Sequence, residues 1–179
     1  MRRLTVGLVL TITLSAFSAL AVETILPIIS DELGGVSLYG WVFSAFFLGS
    51  LASVIVFGGI ADEHGTLLPY SIGLGLFAAG LAIAGAAPAM AVIVAGRLIQ
   101  GIGSGAIISA TYASIARGYT ETQRPRMFAI LSTAWVVPSI VGPAAAAFIA
   151  TSSTWRLVFA GLLPFAIIAA ARSRASATG

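Results

Sequence analysis

Arg97-Leu98-Ile99-Gln100-Gly101-Ile102-Gly103-Ser104-Gly105 stands near the middle of the chain, inside a long apolar stretch. A guanidinium at the centre of a hydrocarbon layer costs about 2.5–3.5 kcal/mol on insertion scales. A chain that keeps one there supplies a counter-charge or a water-filled cavity, and such positions mark ion or substrate pathways. The glycines that follow let a second helix approach closely. Arg97, Gly101, Gly105, Ser109 and Ala113 recur at i, i+4 spacing, which puts a stripe of small residues below the arginine on one helix face. Close packing accounts for the glycines but does not call for Arg97 and Gln100.

The rest of the 179 residues fits a lipid environment. Hydrophobic residues make up 59% and charged residues 8%, against roughly 25% charge in a soluble domain. There is no cysteine, hence no disulfide framework and no thiolate nucleophile or metal ligand, and His64 is the single histidine. Neither a Ser/His/Asp set nor a phosphate-binding loop is present, so an enzyme is not expected. No cofactor is implied. The net charge of +3 rests on nine arginines and no lysine; in a membrane chain this reports loop topology rather than nucleic-acid binding. Arg2 and Arg3 followed by the apolar run from Leu4 to Leu20 have the outline of a cleaved signal peptide. The run continues past Pro27 to Ile29, however, which is too long for such a segment and long enough to span.

A bilayer core of roughly 30 Å needs about 20 helical residues. Segments of that kind occur at 5–29, 38–60, 68–87, 91–115, 127–150 and 155–171, the last being short. The expectation is an all-α membrane protein of six transmembrane helices occupying residues 1–174, with a polar tail at 175–179. With the N-terminus inside, the inner face carries Arg2, Arg3, Arg117, Arg124, Arg126, Arg172 and Arg174, and the outer face Arg156 alone. This bias predicts an integral protein of the plasma (inner) membrane with both termini cytoplasmic.

Glu23 and Arg97 are the ionisable residues well inside these spans. The first span runs outward and the fourth inward, so both lie at nearly the same depth, Glu23 roughly 9 Å below the outer surface. Pairing would lower the cost of keeping both charges and would give a carboxylate able to take up and release a proton. The alternative is two independent side chains reaching for the outer headgroups. In the fifth span Pro138 and Pro143 each remove a backbone donor, and Ala134, Pro138, Gly142, Ala146 and Ala150 form a small-residue stripe. That segment reads as a hinge and close-contact face, or as an ordinary proline kink. Asp62, at the glycine-flanked turn after the second span, reads as the cap of the next helix.

Taken together these segments resemble the major facilitator superfamily over nearly the whole chain. Gly58-x-Ile60-Ala61-Asp62-x-x-Gly65 is similar to the family's loop signature between helices two and three, Arg97-x-x-Gln100-Gly101-x-Gly103 to its fourth-helix signature, and Gly142-Pro143 to the core of its antiporter signature. Thr24-Ile25-Leu26-Pro27, Tyr39-Gly40-Trp41-Val42-Phe43 and Trp155-Arg156-Leu157-Val158-Phe159 resemble segments of the multidrug proton-antiporter branch. The chain departs from the pattern at Thr66 and Leu67, where basic residues usually follow the loop glycine, and at Ala146 and Ala147, where the antiporter signature has glycines. Ser18 stands at a first-helix position often acidic in relatives.

The resemblance implies half of a major facilitator fold, two three-helix repeats of inverted topology, in a family whose members enclose a midplane site between two such halves. It implies Glu23, Arg97 and Gln100 for proton coupling or translocation, Gly58, Asp62 and Gly65 as the loop motif, and Gly101, Gly105, Pro138, Gly142 and Pro143 for packing and hinge motion. The implied activity is proton-coupled efflux of small lipophilic compounds by a half-transporter. The implied partners are the bilayer, a small-molecule substrate, protons, and a second copy or another six-helix half that covers the Gly142-Pro143 face. Phe17, Phe43, Phe46, Phe47 and Trp135 are candidates to line an apolar cavity. A truncated, non-transporting membrane fragment and a membrane scaffold subunit are the alternatives.

Overall fold

A computed structural model describes the backbone of residues 2–175 and the side chains of residue 7 and residues 9–169. The described residues form six α-helices: α1 (Arg2–Leu33), α2 (Tyr39–His64), α3 (Leu67–Gly85), α4 (Met90–Gly118), α5 (Arg124–Ser152) and α6 (Arg156–Ala175). The helices contain the six expected spans. The first five are long and apolar enough to cross a membrane, and the part of α6 with described side chains, Arg156–Ala169, is a shorter apolar helix. Residues 176–179 of the expected polar tail lie outside the described residues, as do the side chains of Arg2, Arg3, Arg172 and Arg174.

The breaks between helices follow from local backbone chemistry. Gly34 and Gly35, with φ of 67° and 77°, end α1 and lead into a one-turn 3-10 helix, Val36–Leu38. Only glycine adopts that left-handed conformation without strain from a Cβ. Gly65, φ 82°, closes α2, its N–H donating to the Ala61 carbonyl at 3.1 Å. Ala87-Pro88 separates α3 from α4, and Pro125, in the first turn of α5, costs nothing there because that N–H has no partner within the helix.

Packing is centred on α4, which lies along both α2 and α3 in the most extensive interfaces of the bundle. α1 lies along α5, and α6 along α3. Exchanging α1 with α4, α2 with α5 and α3 with α6 turns the α2–α4 interface into α5–α1 and α3–α4 into α6–α1, and leaves α1–α4 and α3–α6 as they are. Because α1 and α4 run in opposite directions, this is the inverted 3+3 repeat. It is legible in the packing although the two halves of the sequence show no evident similarity.

The tight contacts around α4 are made by backbone. A Cβ at Gly101 would strike the Phe46 carbonyl of α2, one at Gly105 the Ser50 carbonyl, and one at Gly103 the backbone of Phe77 on α3. Ser53 Oγ donates to the Ile102 carbonyl across the same α2–α4 contact. Gly58 has no such neighbour, since nothing lies within 4 Å of a Cβ placed there.

Candidate functional site

Arg97 is fully buried on α4, at 0% exposure. Its Nη1 donates to Gln100 Oε1 at 2.9 Å, its Nε points at the Val42 carbonyl at 3.4 Å, and its guanidinium lies 4.1 Å from the centre of the Phe46 ring. A cation over an aromatic face retains part of the electrostatic stabilisation it loses on leaving water. Gln100, also at 0% exposure, turns its amide nitrogen outward to donate to Ser18 Oγ on α1. The chain Ser18–Gln100–Arg97 therefore joins α1 to α4 by hydrogen bonds between side chains buried from solvent. One donor in it, Arg97 Nη2, has no partner.

Glu23 sits elsewhere than expected. It is half-buried on α1 and lines a cavity of about 440 Å³ with Leu26, Tyr39, Gly40, Phe43 and Ser44, between the α1 and α2 ends that flank the 3-10 helix. The ion pairs among the described residues do not include Glu23 with Arg97. The two charges attract through space, but Phe46 and the Val42 carbonyl, both from α2, cover the guanidinium. The direct pairing expected from their matching depth is replaced by a neutral partner, Gln100. Depth along two helices does not fix which way each side chain faces.

The loop motif holds a cation rather than a helix start. Arg117, in the last turn of α4, donates from Nη1 to the Ala61 carbonyl at 2.7 Å and from Nη2 to both the Asp62 carbonyl and Asp62 Oδ1 at 3.2 Å. These carbonyls end α2, where a helix terminus carries partial negative charge. Asp62 thus anchors α4 to α2, and α3 begins at Thr66 without a side-chain cap.

On α5, Ala134, Pro138, Gly142, Ala146 and Ala150 are all buried. A Cβ at Gly142 would meet the Phe17 ring of α1 at 3.5 Å, an ordinary contact. The stripe is covered by α1 of the same chain, which corrects the expectation that the Gly142-Pro143 face waits for a partner; Pro143 itself is half-buried. The five candidate aromatic residues do not share one cavity either. Phe43 lines the Glu23 cavity, Phe46 covers Arg97, Phe47 packs on both rings, Phe17 packs on α5, and Trp135 lines a second cavity. That cavity, about 310 Å³, lies between α1, α4 and α5, walled by Ile12, Ile108, Tyr112, Phe128, Leu131 and Ser132 besides Trp135.

The sequence reading missed a cluster at the opposite end from Arg117. Glu32, in the last turn of α1, accepts from Trp155 Nε1 at 2.8 Å and from Arg156 Nη1 at 2.6 Å. Arg156 also donates from Nη2 to the Ala87 carbonyl beyond α3 at 3.2 Å and lies over the Trp155 ring at 4.2 Å. The signal was available: Arg156 is the single arginine assigned to that face, and Glu32 is one of two acids at the end of the first span.

Comparison with known proteins fits this architecture. The model of the Major Facilitator Superfamily matches residues 8–175. The chain belongs to the Major Facilitator Superfamily. Among relatives within it, the multidrug transporter protein MdtP of Bacillus subtilis is 32% identical over 163 residues, covering 91% of this chain and 30% of that protein. The efflux pump FUS6 of Gibberella moniliformis is 30% identical over 161 residues, covering 90% of this chain and 29% of the pump. The chain therefore spans about three tenths of the length of these curated relatives, which are named as transporters and pumps rather than enzymes. The superfamily fold is seen again in the proton:xylose symporter XylE, whose structure with 6-bromo-6-deoxy-D-glucose superposes with a TM-score of 0.85 at 16% identity, over 96% of this chain and 44% of the symporter.

Proposed function

We propose that this chain is one six-helix half of a proton-coupled transporter that exports small lipophilic compounds, completed by a second copy or by a different six-helix half. The observation that carries the reading is the place of Glu23. It is the single ionisable acid in the wall of a cavity otherwise lined by Leu26, Tyr39, Gly40, Phe43 and Ser44, within electrostatic reach of a buried guanidinium. A carboxylate so placed has access to protons from the cavity, while the field of Arg97 favours its charged form. The names of the relatives, multidrug transporter and efflux pump, support the export of lipophilic compounds. The arginine bias supports a plasma-membrane protein with cytoplasmic termini: Arg117, Arg124 and Arg126 lie at the Gly65 end of the bundle and Arg156 at the other.

Purified protein in liposomes, loaded with the lipophilic cation ethidium and given a pH gradient, tests the reading. Gradient-driven ethidium movement that is lost in Glu23→Gln, with dye exchange at equal pH retained, is the expected result. Gradient-driven movement unchanged in Glu23→Gln would remove proton coupling at Glu23. Coupled transport by a demonstrated monomer would remove the second half.

A further inference from the structure

The six helices are not equally bound to one another. α2, α3 and α4 meet through backbone contacts at Gly101, Gly103 and Gly105, and α6 joins α3 where a Cβ at Gly85 would press on Phe159 at 3.0 Å. These four helices form a frame that interlocks without intervening side chains. α1 and α5 pack chiefly on each other, at ordinary van der Waals spacing around Gly142 and Phe17, and touch the frame over short stretches of α4 and α6.

The ties between this pair and the frame are unevenly distributed. At one end the Glu32 carboxylate is held by both Trp155, at 1% exposure, and Arg156, which in turn holds the Ala87 carbonyl. Halfway along, the tie is a hydroxyl contact, Gln100 to Ser18. Towards the Gly65 end it is again hydroxyl to hydroxyl, Thr11 with Tyr70 at 3.0 Å. A charge-assisted cluster is roughly twice as strong per bond as neutral hydrogen bonds of this kind. Pro27 lies between the cluster and Glu23, and because it has no N–H, the Glu23 carbonyl loses its helical partner. α1 therefore has a weak point between its fixed end and its acid.

We infer that α1 and α5 form an arm that swings on the α2–α3–α4–α6 frame about the Glu32–Trp155–Arg156 cluster, and that this swing sets the separation of Glu23 from Arg97. Glu23 is on the arm and Arg97 on the frame. Nine residues of helix separate Glu23 from the pivot, about 13 Å, so a rotation of about 10° displaces Glu23 by roughly 2 Å and Thr11 by roughly 5 Å. The first displacement is of the size that separates a water-bridged charge pair from a direct one. The inference concerns motion within these six helices and holds or fails whether or not the chain transports.

The chain contains no cysteine, so paired cysteines can carry spin labels without background. Three pairs of exposed positions are informative in lipid nanodiscs: Ile55 with Ile72 within the frame, Ile55 with Ile130 across arm and frame near the Gly65 end, and Trp41 with Phe148 across arm and frame near the pivot. Pulsed electron–electron resonance should give one narrow distance for the frame pair, a broad or divided distribution for Ile55–Ile130, and an intermediate width for Trp41–Phe148. In Glu32→Gln the Trp41–Phe148 distribution should broaden while the frame pair stays narrow. An Ile55–Ile130 distribution as narrow as the frame pair, or a Trp41–Phe148 distribution broader than it, overturns the inference. Should Glu32→Gln disturb the frame pair as well, the comparison within the unmodified background still decides, because it needs no change at the cluster.

Discussion

Arg97 donates to Gln100, three residues along the same helix, and Gln100 passes the contact on to Ser18 of a neighbouring helix. A buried charge is thus held by a neutral amide, whose orientation follows from the pairing. The oxygen must face the guanidinium, so the NH2 must find an acceptor elsewhere, and Ser18 supplies it. Replacing Gln100 by Leu leaves an Arg97 donor and the Ser18 hydroxyl unpaired in the interior. Leaving a buried polar group without a partner costs about 1–3 kcal/mol, so Gln100→Leu should lower the thermal midpoint in detergent by several degrees. Gln100→Glu places a carboxylate beside Arg97 and should be tolerated better than Leu.

The backbone contact at Gly101 makes the opposite kind of prediction. An added methyl there meets the Phe46 carbonyl, and a main-chain atom cannot rotate away. Overpacking of this kind typically costs about 1–3 kcal/mol. Gly58, in the same bundle and also helical, has open space around its Cβ position. Gly58→Ala should be neutral or raise stability by up to about 1 kcal/mol through helix propensity, and paired melting curves of the two alanine variants separate these outcomes.

Asp62 and Arg117 form a pair in which both side chains are well exposed. Arg117 keeps two backbone carbonyls of α2 when the carboxylate is removed. Asp62→Ala should therefore shift stability by less than about 1 kcal/mol, whereas Arg117→Ala, which removes every one of these bonds, should cost more. Denaturation of both variants in the same detergent gives the comparison. Equal losses would mean that the carboxylate, not the helix end, holds Arg117.

The six helices alternate in direction, so His64 and Ser37, both exposed, lie at opposite ends of the bundle. Single cysteines at these positions in the cysteine-free chain should react from opposite sides of the membrane with an impermeant maleimide, Ser37→Cys in intact cells and His64→Cys after permeabilisation. Labelling of both from one side would contradict the crossing of α2.

Helix number, limits and membrane character were legible because apolar length and turn chemistry are local properties. The twenty-odd apolar residues before Gly34, Gly65 and Pro88 needed no partner to be recognised as spans. The burial of Arg97 and Gln100 was legible for a related reason, since polar groups in such a segment have few places to go. What the sequence did not disclose was direction around each helix axis. Glu23 and Arg97 share a depth but not a face, and the Pro138–Gly142 stripe could equally have met a partner or α1. The Glu32–Arg156 and Asp62–Arg117 contacts join residues 124 and 55 positions apart, and only the three-dimensional order of the helices brings them together.

The polar contacts of α4 share an order in time. Arg97 is covered by Val42 and Phe46, Gln100 is met by Ser18, and Arg117 is held by Ala61 and Asp62. Every one of these partners lies earlier in the chain and leaves the ribosome first. A helix with an arginine at its middle is a poor candidate to enter lipid alone, and α4 does not have to: when it emerges, α1 and α2 already present the hydroxyl, the ring and the carbonyls that receive it. The hydrogen-bonding order of the finished bundle is thereby also an assembly schedule, in which the costliest helix is inserted against surfaces made before it.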